Sequence, residues 1–377
     1  MALSIFADAL PFTEVQQNYV NWFDHMQMAE LVPNIAYSSS LHWQLYCNKY
    51  PDDRGCLVDW CQCREKNKSI RLLSYLLRPT DSLGLFGVVT RKLLDRYIFR
   101  RNAFANIPFK FRGDFSERGK YLFWDKNEYG KEDVFNGYSV VSQDEGHISF
   151  SQTIELFFYI MQNNNPNIFL NTGFADALGH KCRRGELYSS RLRPYMQQIH
   201  SAIETYLNKY PDEEVLIVSD HGMSTIKNRV DLHLEEKFGL QSKRTYIAYV
   251  DSCIMCVWVY DNSIRESIKD YLSNIREGHL LSEEERCQYR ASLPVFGDFI
   301  FILREGNCFE NNWFGKSLRS RSADGEGMHG FWPEREARDQ MATVLLINGK
   351  RTISPVYTYP AAYKLIYDVM QGSNHSL

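Results

Sequence analysis

Short apolar runs alternate with longer amphipathic stretches along most of the chain. An uninterrupted apolar run is typical of a buried strand, whereas apolar residues three or four positions apart are typical of a helix. The predicted strands of the sheet are residues 3–6, 167–171, 214–219 and 341–347. The predicted helices are residues 41–48, 151–163, 186–209 and 360–371. Strands that alternate with helices predict an α/β fold with a mostly parallel central sheet and helices on both faces.

Two stretches do not follow this pattern. Residues 60–145 are basic, aromatic and irregular, and we predict a lid insertion over that range. Residues 225–325 include an alternation of strand, helix and strand between 245 and 303, which predicts a small cap insertion. A single catalytic domain of residues 1–377 that carries both insertions suits the chain length.

The composition argues against several classes of protein. Hydrophobic residues make up 44% of the chain and charged residues 24%, which is typical of a globular protein. A formal net charge of −3 gives no reason to expect stable binding of nucleic acid or attraction to an anionic membrane. No apolar run approaches the roughly 18 residues of a membrane span, and residues 1–12 lack the pattern of a signal peptide. We therefore expect a cytoplasmic protein without a membrane span.

Cysteine usage argues against a disulfide framework and against a cysteine-based zinc site. The nine cysteines show no regular spacing, although Cys61 and Cys63 lie close together. Cys253 and Cys256 are three positions apart in a strand-like run, so their side chains are expected on opposite faces. We expect reduced thiols, most of them buried.

Candidate chemistry lies where predicted strands end. Asp176 and His180 are four residues apart, so one helical turn lets both reach a single cation. Asp220 and His221 come at the end of the run 214–219, and Gly222 then permits a sharp turn of the backbone. In mostly parallel sheets ligands bind beyond the carboxyl ends of the strands, which is where these residues fall.

Asp8 and His329 complete this set of candidate ligands. Asp8 follows the first strand, and His329 lies between Gly327 and Gly330 in a glycine-rich loop. Each residue alone is weak evidence, but six nitrogen and oxygen ligands at four positions are what two divalent metals require. The remaining histidines have no comparable setting; they are His25, His42, His147, His200, His233, His279 and His375.

Three short motifs carry a family resemblance. The chain has D-A-L-G-H at 176–180, S-D-H-G-M at 219–223 and G-M-H-G at 327–330. Their order and spacing match the D-x-x-G-H, S-D-H-G-M and G-x-H-G motifs of the alkaline phosphatase superfamily. The chain resembles that superfamily from Asp8 to beyond His329, and most closely its nucleotide pyrophosphatase/phosphodiesterase branch. The segments between the motifs match poorly.

The resemblance implies two metal sites. The implied ligands are Asp176, His180 and His329 for one ion, and Asp8, Asp220 and His221 for the other. Zinc is the usual metal of the superfamily, and ligation by carboxylate and imidazole suits it. Manganese accepts the same ligands, so the sequence does not separate the two metals.

The resemblance also implies a serine, threonine or modified cysteine nucleophile at the start of the helix that follows the first strand. Residues 38–40 are all serines. In these relatives the nucleophile lies ten residues before a glycine that ends the helix, and alignment on the following Tyr-Pro places Asn48 at that glycine. This count selects Ser38, with Ser39 as the alternative. All three serines could instead be helix N-caps.

The activity implied by the resemblance is hydrolysis of a phosphodiester or pyrophosphate bond through a phosphoseryl intermediate. The substrate would be a small phosphate ester such as a nucleotide, a nucleotide sugar or a phospholipid headgroup. Leu41 stands where the phosphodiesterase branch has a phosphate-binding asparagine, and His42 stands where sulfatases have an arginine. A phosphomonoesterase, a phospho-headgroup transferase and a non-catalytic metal-binding protein therefore remain alternatives.

Overall fold

The computed structural model describes most of the chain. The described residues are 2–63, 67–99, 107–117, 132–143, 149–163, 165–310, 326–333, 343–348 and 351–372. Within these ranges no helix combines the length and the apolar character needed to cross a membrane. All nine cysteines are free, and six of them are buried.

Strands and helices are numbered here in chain order. The strands are β1 Ala2–Ala7, β2 Gln27–Leu31, β3 Trp60–Cys61, β4 Ser116–Glu117, β5 Ser139–Ser142, β6 Ile168–Thr172, β7 Glu214–Val218, β8 Ser224–Thr225, β9 Asn228–Val230, β10 Tyr246–Asp251, β11 Ile254–Val259, β12 Gly278–Leu280, β13 Phe299–Leu303, β14 Asn307–Phe309, β15 Gly327–Met328, β16 Thr343–Ile347 and β17 Val356–Tyr357. The α-helices are α1 Phe12–Asn18, α2 Ser38–Cys47, α3 Pro51–Arg54, α4 Lys68–Leu77, α5 Leu85–Leu93, α6 Phe109–Arg112, α7 Phe150–Gln162, α8 Phe174–Gly179, α9 Glu186–Lys209, α10 Leu234–Phe238, α11 Arg265–Ser273, α12 Glu283–Gln288 and α13 Tyr359–Met370.

Seven of the described strands form the central sheet, in the order β17-β2-β16-β7-β1-β6-β5. Strand β1 pairs in parallel with β7 on one side and with β6 on the other, and β6 pairs in parallel with β5. Within this sheet β16 runs the other way, antiparallel to both β7 and β2. The predicted α/β fold with a mostly parallel sheet is confirmed.

Alternate residues of β1 contribute to two separate cores. Leu3 and Ile5 belong to the core formed with helices α1, α7 and α9. Ala2 and Phe6 belong to the core formed with helices α2 and α13. Successive side chains of a strand point to opposite faces of the sheet, so a strand covered by helices on both sides has no exposed position. Every residue of β1 is buried accordingly.

The predicted elements of the central fold lie within three residues of the observed ones. Helix α9 has the predicted bounds, residues 186–209. Helix α7 begins at Ser149, whose hydroxyl and the side chain of Gln152 form a capping box. Helix α2 ends at Asn48, which adopts a left-handed conformation with φ 52° and donates its backbone N–H to Trp43. A glycine or asparagine commonly ends a helix in this way.

The predicted lid range, 60–145, differs from the observed structure in two respects. Strands β3 and β4 pair across it, and the described residues between them are largely helical rather than irregular. The side chain of Asn67 caps α4 by accepting hydrogen bonds from the backbone N–H groups of Ser69 and Ile70. Strand β5, which falls within this range, is an edge strand of the central sheet.

A second, smaller sheet lies within the predicted cap range, 225–325. Its four strands follow the order β10-β11-β13-β12, and all three pairings are antiparallel. Helix α11 lies between β11 and β12 in the chain, and its Ile268 and Leu272 are buried. The division of residues 1–377 into one catalytic domain with two insertions stays a prediction.

Candidate active site

Three acidic residues lie beyond the carboxyl ends of neighbouring strands. Asp8 follows β1, Asp176 lies in the first turn of α8 just after β6, and Asp220 follows β7. Asp8 and Asp220 are buried. The backbone N–H of Ala9 donates to Asp220 at 3.5 Å, and that of Leu10 donates to the Ser219 hydroxyl at 2.8 Å. These two bonds tie the loop after β1 to the loop after β7.

The predicted nucleophile lies at the start of α2. Ser38 is the first residue of that helix, and its Oγ is 2.7 Å from Nε2 of His221. Tyr37 occupies the N-cap position without a side-chain cap, so the alternative in which the three serines cap the helix is wrong. Ser40 is buried and accepts a hydrogen bond from Gln44 at 3.4 Å. The side chain of Ser39 lies outside what the structure describes.

The first predicted ligand set converges in the structure. Nε2 of His180 is 3.2 Å from Oδ1 of Asp176, and Nε2 of His329 is 3.6 Å from the same oxygen. One ligand atom from each of these three residues lies within 4.8 Å of the others. A group of that size can surround one cation, because zinc binds carboxylate oxygen and imidazole nitrogen at about 2 Å.

Two glycines let His329 reach this set from a distant part of the chain. Strand β15 pairs antiparallel with β8, directly after the Asp220–His221 segment. A Cβ atom on Gly327 would lie 2.4 Å from the backbone oxygen of Gly179. Gly330 has φ 81°, and a Cβ atom there would lie 2.7 Å from the Tyr37 ring. Only glycine fits at both positions, so the glycines on either side of His329 have a steric cause.

The residues of the second predicted ligand set, Asp8, Asp220 and His221, also lie close together. They group with residues outside that set as well. Nε2 of His221 is 3.5 Å from Oδ1 of Asp8 and 3.3 Å from Oδ2 of Asp220. The ligand atoms of Asp8 and Asp220 group with His42, and those of Asp8 and His221 group with Asp176. The six predicted ligands therefore form one continuous arrangement rather than two separate triads.

His42 is a member of this arrangement that the sequence analysis missed. The expectation that it has no setting comparable to the three selected histidines is wrong. Its Nε2 lies 3.1 Å from Oδ2 of Asp220, both side chains are fully buried, and its ring packs edge-on against Phe6 at 4.3 Å. A signal was present in the sequence, because His42 is four residues after Ser38 and so lies on the same side of the helix. We call the eight residues the polar cluster: Asp8, Ser38, His42, Asp176, His180, Asp220, His221 and His329.

In two imidazoles of the polar cluster, those of His180 and His221, Nε2 faces a carboxylate. Nδ1 of His180 is 3.0 Å from the carbonyl oxygen of Gly327, and Nδ1 of His221 is 3.0 Å from that of Gly222. A carbonyl oxygen only accepts, so Nδ1 carries the hydrogen in both rings and Nε2 of the neutral ring is an acceptor. A metal-ligating histidine commonly donates its other N–H to a carbonyl group. A carboxylate oxygen that faces such a nitrogen at 3.2–3.3 Å calls for a cation or a proton between them.

Burial disfavours a second proton on one ring of the cluster, that of His329. The rings of His221 and His329 stack in parallel, with centroids 3.7 Å apart and an interplanar angle of 9°. Burial and the neighbouring His221 hold the pKa of His329 well below its usual range. His329 is therefore a neutral imidazole at neutral pH, which is the form that binds a metal.

The pKa values of two carboxylates of the cluster, Asp176 and Asp220, are lowered. Burial alone would raise the pKa of Asp176, but the hydrogen bond and charge of His180 outweigh it and lower the pKa to about 2. Burial opposes ionisation of Asp220 as well, yet the charges of His221 and His42 hold its pKa below the usual range. Three carboxylates and the imidazoles beside them are a donor set that fits divalent zinc or manganese.

The two departures from the family motifs are both buried. Leu41 is 2% exposed and belongs to the core on its side of the sheet, so its side chain does not reach a substrate. His42 contacts Asp220 rather than facing solvent, so it does not replace the substrate-binding arginine of sulfatases. The contact that an asparagine makes with phosphate in the phosphodiesterase branch has no counterpart at position 41.

Solved structures of other proteins are similar to the structure of this chain. Murine ectonucleotide pyrophosphatase/phosphodiesterase 5 matches 98% of this chain and 95% of its own, with a TM-score of 0.61 and 14% identity. Phosphonoacetate hydrolase from Sinorhizobium meliloti 1021 matches 98% of this chain and 95% of its own, with a TM-score of 0.61 and 12% identity. The chain has an alkaline phosphatase-like fold. The resemblance carried by the three motifs is thus matched by resemblance of the whole structure.

Other structures with the alkaline phosphatase-like fold have been solved with small phosphorus compounds. An inactive variant of the murine protein was solved in complex with AMP, and the S. meliloti enzyme in complex with phosphonoformate. The human ectonucleotide pyrophosphatase/phosphodiesterase 5 matches 98% of this chain and 94% of its own, with a TM-score of 0.60 and 13% identity. At such identities the likeness establishes the fold, and the activity has to be argued from the residues. No family model and no curated protein matches the chain by sequence.

Proposed function

We propose that this alkaline phosphatase-like chain is a two-metal hydrolase of phosphodiester or pyrophosphate bonds, with Ser38 as its nucleophile. The observation that carries the proposal is the position of the Ser38 hydroxyl, 2.7 Å from Nε2 of His221, which belongs to one of three groups of possible metal ligands. A hydroxyl placed only to cap a helix would bond to the helix backbone instead.

The ligands are assigned to two ions as the family resemblance of the motifs implies. Asp176, His180 and His329 would hold one ion, and Asp8, Asp220 and His221 would hold the other. When bound, the two cations lower the pKa of the serine hydroxyl and neutralise charge that develops on phosphate and on the leaving oxygen. Zinc suits these ligands, and manganese is the alternative.

The residues of the chain then account for a double displacement. The Ser38 oxygen forms a bond to phosphorus while the bond from phosphorus to the leaving oxygen breaks, and a phosphoserine results. Water attacks that phosphoserine, which releases the phosphorylated product and returns the hydroxyl. Because Ser38 begins α2, the positive end of the helix dipole favours both the alkoxide and the anionic phosphoryl group.

The proposed substrate class rests on solved structures of the same fold and on the surroundings of Ser38. We propose a small phosphate ester, with nucleotides as the first class to test because a neighbour of this fold was solved with AMP. Nucleotide sugars and phospholipid headgroups contain the same type of bond. The fully buried Leu41 leaves phosphate without an asparagine contact, which favours tests of monoester substrates beside diesters.

Ser38→Ala tests the nucleophile. With zinc or manganese added, the wild-type chain is expected to hydrolyse bis-p-nitrophenyl phosphate faster than p-nitrophenyl phosphate and p-nitrophenyl sulfate. In Ser38→Ala the turnover number is expected to fall by at least about a thousandfold, because the attacking atom is removed. Metal content, measured by mass spectrometry of the purified protein, should stay near that of the wild type.

Ser40→Ala is the matched control, because Ser40 lies on the same helix but bonds to Gln44. It is expected to retain most activity. Full activity in Ser38→Ala would rule out the proposed nucleophile, and loss in Ser39→Ala alone would transfer the role to Ser39. A preference for the monoester would assign a phosphatase, and metal uptake without turnover of any substrate would assign a binding protein.

A further inference from the structure

Exposed apolar side chains are concentrated in one short segment of the described chain. Sixteen large hydrophobic residues are exposed among the described residues, and nine of them fall within 27 consecutive positions. Scattered single apolar residues are normal on a surface, whereas a concentration of this kind marks a site of interaction. The nine residues, which we call the lid face, are Leu72, Tyr75, Leu76, Leu83, Phe86, Val89, Leu93, Tyr97 and Ile98.

Helix α4 is apolar on its outward side. Leu72, Tyr75 and Leu76 are each more than 60% exposed and lie within about 100° of one another around the helix axis. Ile70 and Ser74 are buried and lie on the opposite side. A helix of a globular protein normally presents polar residues to solvent, whereas α4 presents apolar ones.

Helix α5 shows the same reversal. Phe86, Val89 and Leu93 are exposed and lie within about 60° of one another around the axis. Val88 and Arg91 lie on the other side and are buried. The exposed side of the helix is therefore aliphatic and aromatic, while one of its inward positions is an arginine.

Internal contacts hold this segment in place, so the exposure belongs to the folded segment. The Asp81 carboxylate accepts hydrogen bonds from Nη1 of Arg91 at 2.6 Å and from the backbone N–H groups of Phe109 and Lys110 at 3.0 and 2.9 Å. A Cβ atom on Gly87 would lie 2.2 Å from the backbone oxygen of Thr80. These contacts fix α5 against the preceding turn and the start of α6.

The charge of the same segment is strongly positive. Residues 68–112 contain ten lysines and arginines against two aspartates and no glutamate, a net charge of +8 in a chain whose total is −3. Lys68, Arg78 and Lys110 are exposed, and Lys92 is partly exposed. Apolar side chains with basic residues beside them are typical of helices that lie in the interface of an anionic bilayer.

We propose that the lid face docks on the surface of an anionic lipid bilayer. The apolar side chains insert among the lipid chains, and the surrounding lysines and arginines contact the headgroup phosphates. The charge favours a bilayer over a second copy of the chain, because pairing two lid faces would bring two segments of charge +8 together. The sequence-based expectation that the net charge offers no attraction to an anionic membrane holds for the total, but not for this segment.

Vesicle binding tests the proposal. The full chain is mixed with vesicles of phosphatidylcholine alone or of equal parts phosphatidylcholine and phosphatidylglycerol, and the bound fraction is measured by flotation. Binding to the anionic vesicles is expected, with a marked decrease as salt is raised. The double variant Phe86→Ser/Leu93→Ser is expected to bind at least about tenfold more weakly, because two inserted side chains are lost.

Leu156→Ser/Tyr159→Ser is the matched control. Both residues are exposed on α7, outside the lid face, so this variant should bind vesicles as the wild type does. The charge is tested by Lys92→Glu, expected to weaken binding by about fivefold or more, against Lys364→Glu on α13, expected to leave it unchanged. Melting temperatures close to that of the wild type show that these exposed substitutions leave the fold intact.

Two results would overturn the proposal. Equal binding to neutral and anionic vesicles, or none to either, would exclude an anionic bilayer as the partner. A dimer in sedimentation equilibrium that Phe86→Ser/Leu93→Ser dissociates, without vesicle binding by the wild type, would assign the lid face to self-association. Neither result depends on phosphoester hydrolysis, so the docking proposal and the proposed function can fail separately.

Discussion

The polar cluster and the lid face depart from ordinary protein architecture in opposite directions. The polar cluster buries carboxylates and imidazoles that a protein normally leaves in water, whereas the lid face exposes aliphatic and aromatic side chains that a protein normally buries. For each region we propose a partner outside the chain. The proposed partners are divalent cations for the polar cluster and an apolar lipid phase for the lid face.

The two regions also differ in how they are supported. The polar cluster is built on the ends of β1, β6 and β7, three adjacent strands of one buried sheet. The segment that carries the lid face, residues 68–112, is called the lid segment. It has short helices joined by turns, and the Asp81 carboxylate accepts hydrogen bonds from Arg91, Phe109 and Lys110. Substitutions in the cluster should therefore affect chemistry first, and substitutions under the lid face should affect local stability first.

Asp220→Asn is expected to have the largest effect. Oδ2 of Asp220 lies 3.1 Å from Nε2 of His42 and 3.3 Å from Nε2 of His221, so the carboxylate interacts with both imidazoles. An amide keeps the shape but removes the negative charge that a divalent cation requires, and kcat/KM is expected to fall by at least about a thousandfold. Steady-state hydrolysis of bis-p-nitrophenyl phosphate, with metal content determined on the same samples, measures this effect.

Asp212→Asn is the control for Asp220→Asn, because Asp212 is exposed in the turn before β7. Activity there should match the wild type. If Asp220→Asn kept both full activity and full metal content, Asp220 would be a structural carboxylate and the proposed ligand set would be wrong. Vesicle binding by Asp220→Asn should stay unchanged, because the lid face lies in another segment of the chain.

Much of this architecture was predictable from the sequence because the responsible signals are local. The runs 3–6 and 214–219 are mostly apolar, since strands covered on both faces leave few positions for a polar residue. Asp176 and His180 share a helical turn, so their approach to within 3.2 Å follows from spacing alone. Gly327 and Gly330 flank His329 for steric reasons that can be suspected from sequence, although the partners of the close contacts cannot.

Other features were not predictable because they depend on contacts between distant residues. His42 and Asp220 are separated by 178 positions, and only the packing of α2 over the sheet brings them together. Helices α4 and α5 lie in a range that the sequence predicts to be irregular, for a different reason. A prediction from amphipathic pattern assumes that polar residues face outward, and in α4 and α5 the outward residues are apolar.

His42→Gln is expected to have a smaller effect than Asp220→Asn. The His42 side chain contacts a proposed ligand and not the reacting atoms, so it acts as a positioning residue for Asp220. Residues that support metal ligands typically contribute about 10- to 100-fold in affinity or activity. The expected result is an increase of that size in the metal concentration needed for half-maximal activity, with KM for the substrate unchanged.

Saturating metal distinguishes positioning from a purely structural role for His42. If His42 only positions Asp220, excess zinc should restore much of the activity of His42→Gln, and its melting temperature without metal should be close to that of the wild type. His233→Gln is the control, because His233 is exposed. A loss that no metal concentration restores, together with a lower melting temperature, would assign His42 to core packing against Phe6.

Asp81→Asn should have the smallest effect on chemistry and a clear effect on the lid segment. Arg91 is only 8% exposed, so replacing the opposing carboxylate with an amide removes the negative charge from a buried ion pair. Breaking such a pair costs about 3–5 kcal/mol, which local unfolding of the segment would partly relieve.

Asp114→Asn is the control, because the Asp114–Lys243 pair is exposed and such pairs contribute about 0–1 kcal/mol. Hydrogen exchange should report weaker protection in α5 and α6 for Asp81→Asn alone, while phosphoester hydrolysis stays within about twofold of the wild type. An equal loss of activity would show that the lid segment and the polar cluster are coupled, and the separation drawn between them would then be wrong.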